Sequence, residues 1–239
     1  MIYKPAFLPS YVHWHAVQDS NQLADEVSSH LTKILSRSLL NQSRVSLAVS
    51  GGRSPIATFE RLSVSQIQWA NIDITLVDER WVDKNHEDSN EGLVRRYLLK
   101  NATEKAKFIG LKNESLTAKD GQVDCYLALQ QLVQPFEVVL LGMGLDGHTA
   151  SLFPDCPELT MAMDSAQSLR CLATTPKSAN HERMTFSYNT IMEARHRVLH
   201  LKGTSKLAIL EEAMSLGDPM AMPICAFLQH PITLFWSPS

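Results

Sequence analysis

A histidine and a carboxylate two residues apart on a glycine-rich turn are the side chains of this sequence best suited to general-base chemistry. They are Asp146 and His148, within the run Leu140-Leu141-Gly142-Met143-Gly144-Leu145-Asp146-Gly147-His148-Thr149-Ala150-Ser151-Leu152-Phe153-Pro154. An apolar segment, Phe136 to Leu141, leads directly into that run and reads as a buried strand. The loop at the carboxyl end of such a strand is where open α/β sheets bind ligands. Gly142, Gly144 and Gly147 allow positive φ and a close approach of backbone to substrate. An imidazole has an unperturbed pKa near neutrality, which suits proton transfer at physiological pH. A strand-to-helix turn with a capping Asp would explain a lone Gly-x-Gly equally well. The Asp-Gly-His triplet and two further loops point instead to an active site.

The first of those loops is Ser50-Gly51-Gly52-Arg53-Ser54-Pro55, between a strand and a helix start. Consecutive glycines expose backbone N–H groups, and a helix N-terminus adds the positive end of its dipole, so Gly51, Gly52 and Ser54 form a candidate anion cradle. The pattern matches neither a dinucleotide Gly-x-Gly-x-x-Gly nor a Walker loop, so no nucleotide cofactor is indicated. The second is Val77-Asp78-Glu79-Arg80-Trp81, at the end of another strand. There Arg80 can clamp a phosphate bidentately, and Asp78 can engage a substrate hydroxyl or orient a neighbour. Arg183 and Lys206 are further cations whose relevance depends on whether the fold carries them to the cradle.

Other chemistries fit poorly. His196 and His200 have the spacing of helical metal ligands, but the alternating segment around them reads as a strand, which separates them by roughly 13 Å. His13 and His15 read as surface or core residues, and no metal site is expected. There is no Gly-x-Ser-x-Gly elbow for serine acyl transfer.

The elements that must position these residues alternate in type. Helices are expected from Asp19 to Leu40, opening at Ser54-Pro55, starting at Ser89-Asn90-Glu91, from Ala118 to Val133, and from Thr204 to Met214. Strands are expected at 45–50, 72–78, 136–141, 169–174, 197–201 and 232–236. This alternation implies an α/β fold, a mainly parallel sheet covered by helices on both faces. No repeat, low-complexity tract or linker divides the 239 residues. One domain, 1–239, is expected, with a small subregion around 150–185.

Composition narrows the class. Hydrophobic residues at 44% and charged residues at 20% fit a globular protein. A net charge of −3 without a dense basic block argues against nucleic-acid binding. The four cysteines are scattered, as in a reducing compartment. No secretory signal or membrane span is read in the chain, so a cytoplasmic location without membrane attachment is expected.

The combination of Ser50-Gly51-Gly52-x-Ser54-Pro55, Val77-Asp78-Glu79-Arg80, Ser89-Asn90, the Gly142-to-Pro154 run, Arg183-Met184-Thr185 and Gly203-x-x-Lys206 resembles the 6-phosphogluconolactonases over nearly the whole chain. Those enzymes share a Rossmann-like, three-layer fold with glucosamine-6-phosphate deaminase. The resemblance implies hydrolysis of 6-phospho-D-glucono-1,5-lactone to 6-phosphogluconate, in the oxidative branch of the pentose phosphate pathway, without metal or organic cofactor. It assigns His148 as general base, Asp146 as its orienting partner, and the loop around Gly144 and Gly147 as oxyanion stabiliser. The phosphate is expected on Gly51, Gly52, Ser54, Arg80, Arg183 and Lys206. Two departures stand out: Arg53-Ser54 where the family usually has Ser-Thr, and Ser178-Ala179-Asn180 in place of prolines. Oligomeric state is not read from the sequence. Two other activities resemble the pattern less well. The deaminases carry a glutamate where this chain has Phe153, and sugar-phosphate sensors carry a helix-turn-helix domain with no counterpart here.

Overall fold

In the computed structural model, described for residues 3–166 and 168–239, the strands fall in two sheets. They are β1 (Val12–Ala16), β2 (Val45–Val49), β3 (Ile72–Leu76), β4 (Asp78–Arg80), β5 (Lys107–Ile109), β6 (Val138–Leu141), β7 (Cys171–Thr174), β8 (Arg183–Phe186), β9 (His196–Lys202) and β10 (Ile232–Ser237). Seven of them form one parallel sheet in the order β1-β10-β9-β6-β2-β3-β5. Strands buried on both faces read as unbroken apolar runs. That is why 45–49, 72–76 and 138–141 are fully buried along their length.

The helices surrounding the sheet are α1 (Ser20–Ser38), α2 (Ile56–Ser63), α3 (Asn90–Tyr97), α4 (Gln122–Leu129), α5 (Leu159–Met163), α6 (Tyr188–Met192), α7 (Thr204–Leu216) and α8 (Ile224–Leu228). Asp19 caps α1, its carboxylate accepting from the Asn21 and Gln22 N–H groups, and Ser89 caps α3 through the Gly92 N–H. Ser54 does not cap α2. Pro55 occupies that N-cap position, with no side-chain hydrogen bond. The expected helix over 118–133 contracts to α4.

The sequence of connections places the ligand crevice. From β2 the chain moves outward through β3 and β5, then returns to β6 on the other side of β2 and moves outward through β9 and β10. The direction reverses between β2 and β6, and a crevice opens outside the carboxyl ends of two strands at such a point. The glycine loops at 50–55 and 142–154 are the segments that leave these two strands.

The second sheet corrects the sequence reading. Residues 72–78 are not one strand. At Val77 the chain changes sheets: its N–H donates to Val49 O, and its carbonyl accepts from the Phe186 N–H. Asp78–Arg80 then pairs antiparallel with β8, which pairs antiparallel with β7. Residues 171–174 therefore belong to this small sheet, and 183–186, where the sequence reading expects no strand, is its central strand. A short strand is not separable from a turn by pattern when its partners are remote in sequence. Phe186 stacks on Phe136 at 5.0 Å, which fixes the small sheet against the large one.

Candidate active site

The crevice holds two adjoining chambers. The first, about 200 Å³, is lined by Gly51, Gly52, Ser54, Asp78, Arg80, His148 and Lys206, among others. The second, about 350 Å³, is lined by Arg80, Arg183, His181, Phe153, Ser178 and Asn180, among others. Asp78, Arg80, His148 and Ala150 belong to both walls. Of the residues expected around one anion, Arg183 alone stands only in the second chamber, across β4 from the glycine cradle.

His148 sits at this shared wall with its Nδ1 2.5 Å from Asp146 Oδ1. Burial opposes ionisation of Asp146. The His148 side chain and backbone N–H nevertheless hold its carboxyl below the usual value. An ionised carboxylate at that distance requires a hydrogen on Nδ1, leaving Nε2 with the lone pair of a base. Gly144 makes this pairing possible, since a Cβ there would lie 2.2 Å from His148 Nδ1 and 2.4 Å from Asp146 Oδ1. The loop is closed by the Gly144 N–H donating to His148 O at 2.8 Å. That bond spends the Gly144 N–H, so Gly144 provides space for the dyad and is not an oxyanion donor in this conformation. Gly147 turns the chain with φ +76°. The imidazole stacks on Phe153, ring centroids 3.9 Å apart, and the Arg183 guanidinium lies 5.9 Å from the other partner of that ring stack, the Phe153 centroid.

The acidic and cationic groups are individually braced. Asp78 accepts from Ser151 Oγ at 2.7 Å, and its backbone carbonyl accepts from Asn90 Nδ2 at 2.8 Å. The Arg80 Nη1 donates to the Asp88 carbonyl, and Lys206 Nζ to Met143 O at 2.7 Å. Burial lowers the pKa of Lys206, with Asp146 opposing. Burial also lowers that of Arg183, and the neighbouring Arg80 charge adds to it against Asp78, Asp88 and Glu79. The two arginines stand opposite each other on paired strands and both line the second chamber, an arrangement able to take an anion. Ser50 Oγ, Arg80 Nε, Asn90 Oδ1 and Arg183 Nε are buried and find no hydrogen-bond partner among the described residues.

Several residues of this neighbourhood were not legible in the sequence. Ser151 and Thr185, whose Oγ1 accepts from the Ser151 N–H at 3.1 Å, lock the 142–154 loop onto the small sheet. His200, on β9, lines the first chamber, and burial pushes its pKa down to about 4. His86, Asp88 and His181 place ligand atoms within 4.8 Å of one another at the rim. Here His86 Nδ1 already accepts from the Asp88 N–H, and Arg80 lies alongside. This donor set is poorly disposed to take a cation.

A family model described as glucosamine-6-phosphate isomerases/6-phosphogluconolactonase matches residues 18–236. The chain belongs to this family. It is 41% identical over 234 residues to a 6-phosphogluconolactonase of Pseudomonas aeruginosa, covering 98% of this chain and 97% of that protein. A 6-phosphogluconolactonase of Neisseria meningitidis is 39% identical over 219 residues, 91% of this chain and 94% of the relative. The crystal structure of a 6-phosphogluconolactonase from Shewanella baltica superposes with a TM-score of 0.93 at 39% identity, over 96% of this chain and 99% of that one. A monomeric glucosamine-6-phosphate deaminase shares the fold, with a TM-score of 0.77 at 14% identity. The expected parallel α/β architecture is thus the family's own. Among the described residues no helix is long and apolar enough to cross a membrane.

Proposed function

We propose that this protein is a 6-phosphogluconolactonase, hydrolysing 6-phospho-D-glucono-1,5-lactone to 6-phosphogluconate as in the oxidative branch of the pentose phosphate pathway. The observation that carries the reading is the Asp146–His148 pair at the wall shared by both chambers, in a chain whose near relatives bear that name.

A lactone is an activated ester, so water can attack C1 once a base removes its proton. His148 Nε2 takes that proton, and Asp146 stabilises the imidazolium that forms. The tetrahedral intermediate collapses by breaking the bond from C1 to the ring oxygen, and the imidazolium returns its proton to that oxygen. General-base assistance of this kind contributes typically ~10²–10⁴-fold. Oxyanion stabilisation falls to the turn at Gly147 and the cations of the cleft wall, because the Gly144 N–H is engaged. Gly51, Gly52, Ser54, Arg80 and Lys206 anchor the phosphate, with Arg183 adding its field from the adjoining chamber. Holding the ring against the base turns a bimolecular encounter into a local one. Written this way, the reaction uses no metal or organic cofactor.

Phe153 separates this reading from the deaminase one. A deaminase needs a polar group there for ring opening, and this position holds an apolar ring packed on the base. The deciding assay supplies purified protein with the phosphorylated lactone and, separately, with glucosamine 6-phosphate. Accelerated lactone opening without ammonia release is expected. Ammonia release with no lactone hydrolysis would reverse the assignment.

A further inference from the structure

Glu79 is a charged residue of the Asp78–Arg80 strand with no part in the reaction written above. Its side chain is 0% exposed and lines neither chamber. Yet its carboxylate is heavily engaged. Oε1 accepts from the Arg80 N–H at 2.7 Å and the Asn90 N–H at 2.8 Å, while Oε2 accepts from the Glu91 N–H at 2.7 Å and Ser89 Oγ at 3.2 Å. The Ser89, Asn90 and Glu91 donors are the cap and first turn of α3, the end of a helix that favours a negative charge.

What α3 positions is the binding loop. The Asn90 side chain donates to the Asp78 carbonyl, which fixes the carboxamide with Oδ1 on the other side. A methyl on Gly51 would fall 1.9 Å from that oxygen, so the glycine cradle rests directly on Asn90. The same carboxylate fixes the backbone of Arg80. One buried group therefore sets the relative placement of two anion-binding elements that leave different sheets.

We propose that Glu79 is a positioning residue for the phosphate: it acts through Asn90 on the Gly51–Gly52 loop and through the Arg80 backbone on the guanidinium. The ionised form is the competent one, since a protonated oxygen would set an O–H against N–H donors. Burial opposes that ionisation, the Glu91, Asn90 and Arg80 N–H groups favour it, and nearby Asp78 opposes it, leaving the carboxyl pushed up to about 7. The charges acting on it are Asp78 on β4 and Arg183 on β8, whereas Arg80 and Glu91 meet it through their backbone N–H groups.

The KM readout rests on the lactonase reading, whereas affinity for inorganic phosphate does not. Both are measured on the full chain for wild type and Glu79→Gln, from pH 6 to 8. The amide keeps the volume but loses one acceptor. The expected result is an increase of about tenfold or more in the phosphate Kd and in KM for the phosphorylated lactone, because small misplacements of a binding group are costly. kcat and KM for unphosphorylated gluconolactone are expected to stay within about twofold. Wild-type phosphate affinity should also rise with pH beyond the ligand's own ionisation, and that excess should vanish in the variant. Unchanged or tighter phosphate binding by a folded variant would overturn the proposal, tighter binding meaning that Glu79 acts only by repulsion. If Glu79→Gln does not fold, Asn90→Ala decides, because it removes the wedge and leaves the cap. Wild-type phosphate affinity in a folded Asn90→Ala protein would equally sink the idea.

Discussion

The two halves of the cleft are built in different ways. The half that leaves the parallel sheet consists of loops, 50–55 and 142–154, and their glycines take positive φ at Gly52 and Gly147. The half that comes from the small sheet contains no glycine in Asp78–Arg80 or Arg183–Phe186 and holds its guanidiniums on paired strands, Arg80 directly opposite Arg183. Loops let backbone and imidazole come close to a reacting atom at some cost in conformational entropy. Strands fix the direction of a long side chain, and like charges set opposite each other cost stability that an anion recovers. On the proposed reading the base stands on the loop half alone, while the phosphate contacts are divided between its glycine cradle and the guanidiniums of the strand half.

The sharpest way to break that division is His148→Ala. Turnover of the phosphorylated lactone, corrected for spontaneous opening, should fall about 10²–10⁴-fold, while binding of 6-phosphogluconate stays within about tenfold. Stopped-flow lactone assays and calorimetry measure the two effects. Near-normal turnover would place the base elsewhere.

On the other half, Arg80→Ala removes a charge-assisted bond worth on the order of 1.5–3 kcal/mol, roughly 10- to 150-fold in affinity. KM for the phosphorylated lactone should rise accordingly, with residual activity on unphosphorylated gluconolactone hardly changed. Equal damage to both substrates would mean that Arg80 supports the catalytic loop rather than the phosphate.

A finer comparison uses two buried titrating groups, one on each sheet. Burial lowers His200 on β9 to about 4, so the folded protein resists a proton that the unfolded chain accepts near pH 6.5. Its contribution is complete above pH 6.5 and is lost as pH falls toward 4, by up to about 3 kcal/mol. Burial lowers His15 and His30 too, with the same sign. Glu79, raised to about 7, behaves oppositely: the folded state holds its proton, and stability falls as pH rises from 4.5 to 7, again by up to about 3 kcal/mol. Urea unfolding of Glu79→Gln should therefore show a steeper loss of stability than wild type on going from pH 6.5 to 4.5. His200→Gln should show a shallower loss, or a gain. Parallel pH profiles for all three proteins would contradict these assignments.

The smallest expected effect is none. Exhaustive chelation should leave lactone hydrolysis unchanged, since no step is routed through a metal. Loss restored by a single divalent ion would direct attention to the His86–Asp88–His181 rim and to a different mechanism.

Much of the site was legible because its signals are local. The Gly142–Pro154 run and Ser50-Gly51-Gly52 each pair an apolar strand with the turn chemistry that follows it, and both lie where the strand ends required. Asp146 and His148 are two residues apart, so their pairing was nearly implied by spacing. Residues 183–186 and the break at Val77 were not legible. A four-residue strand has no periodicity to detect, and Val77 changes sheets because of partners at Val49 and Phe186, far away in sequence. Glu79 carries no assignment from the sequence for the same reason: nothing nearby in the chain reports that α3 covers it.

The sequence by itself determined the alternation of strands and helices, hence a parallel sheet, and the two glycine loops with their acid–base pair. Those follow from hydrophobic period and backbone freedom, which act over a few residues. Only the tertiary structure decided that Arg80 and Arg183 stand side by side on a separate antiparallel sheet, and that Lys206 and His200 line one chamber while Arg183 lines the next. It also decided that the Gly144 N–H is spent within its own loop. Each of these depends on strand partners, burial and closure between segments distant in the chain, and such pairings leave no periodic trace in the sequence.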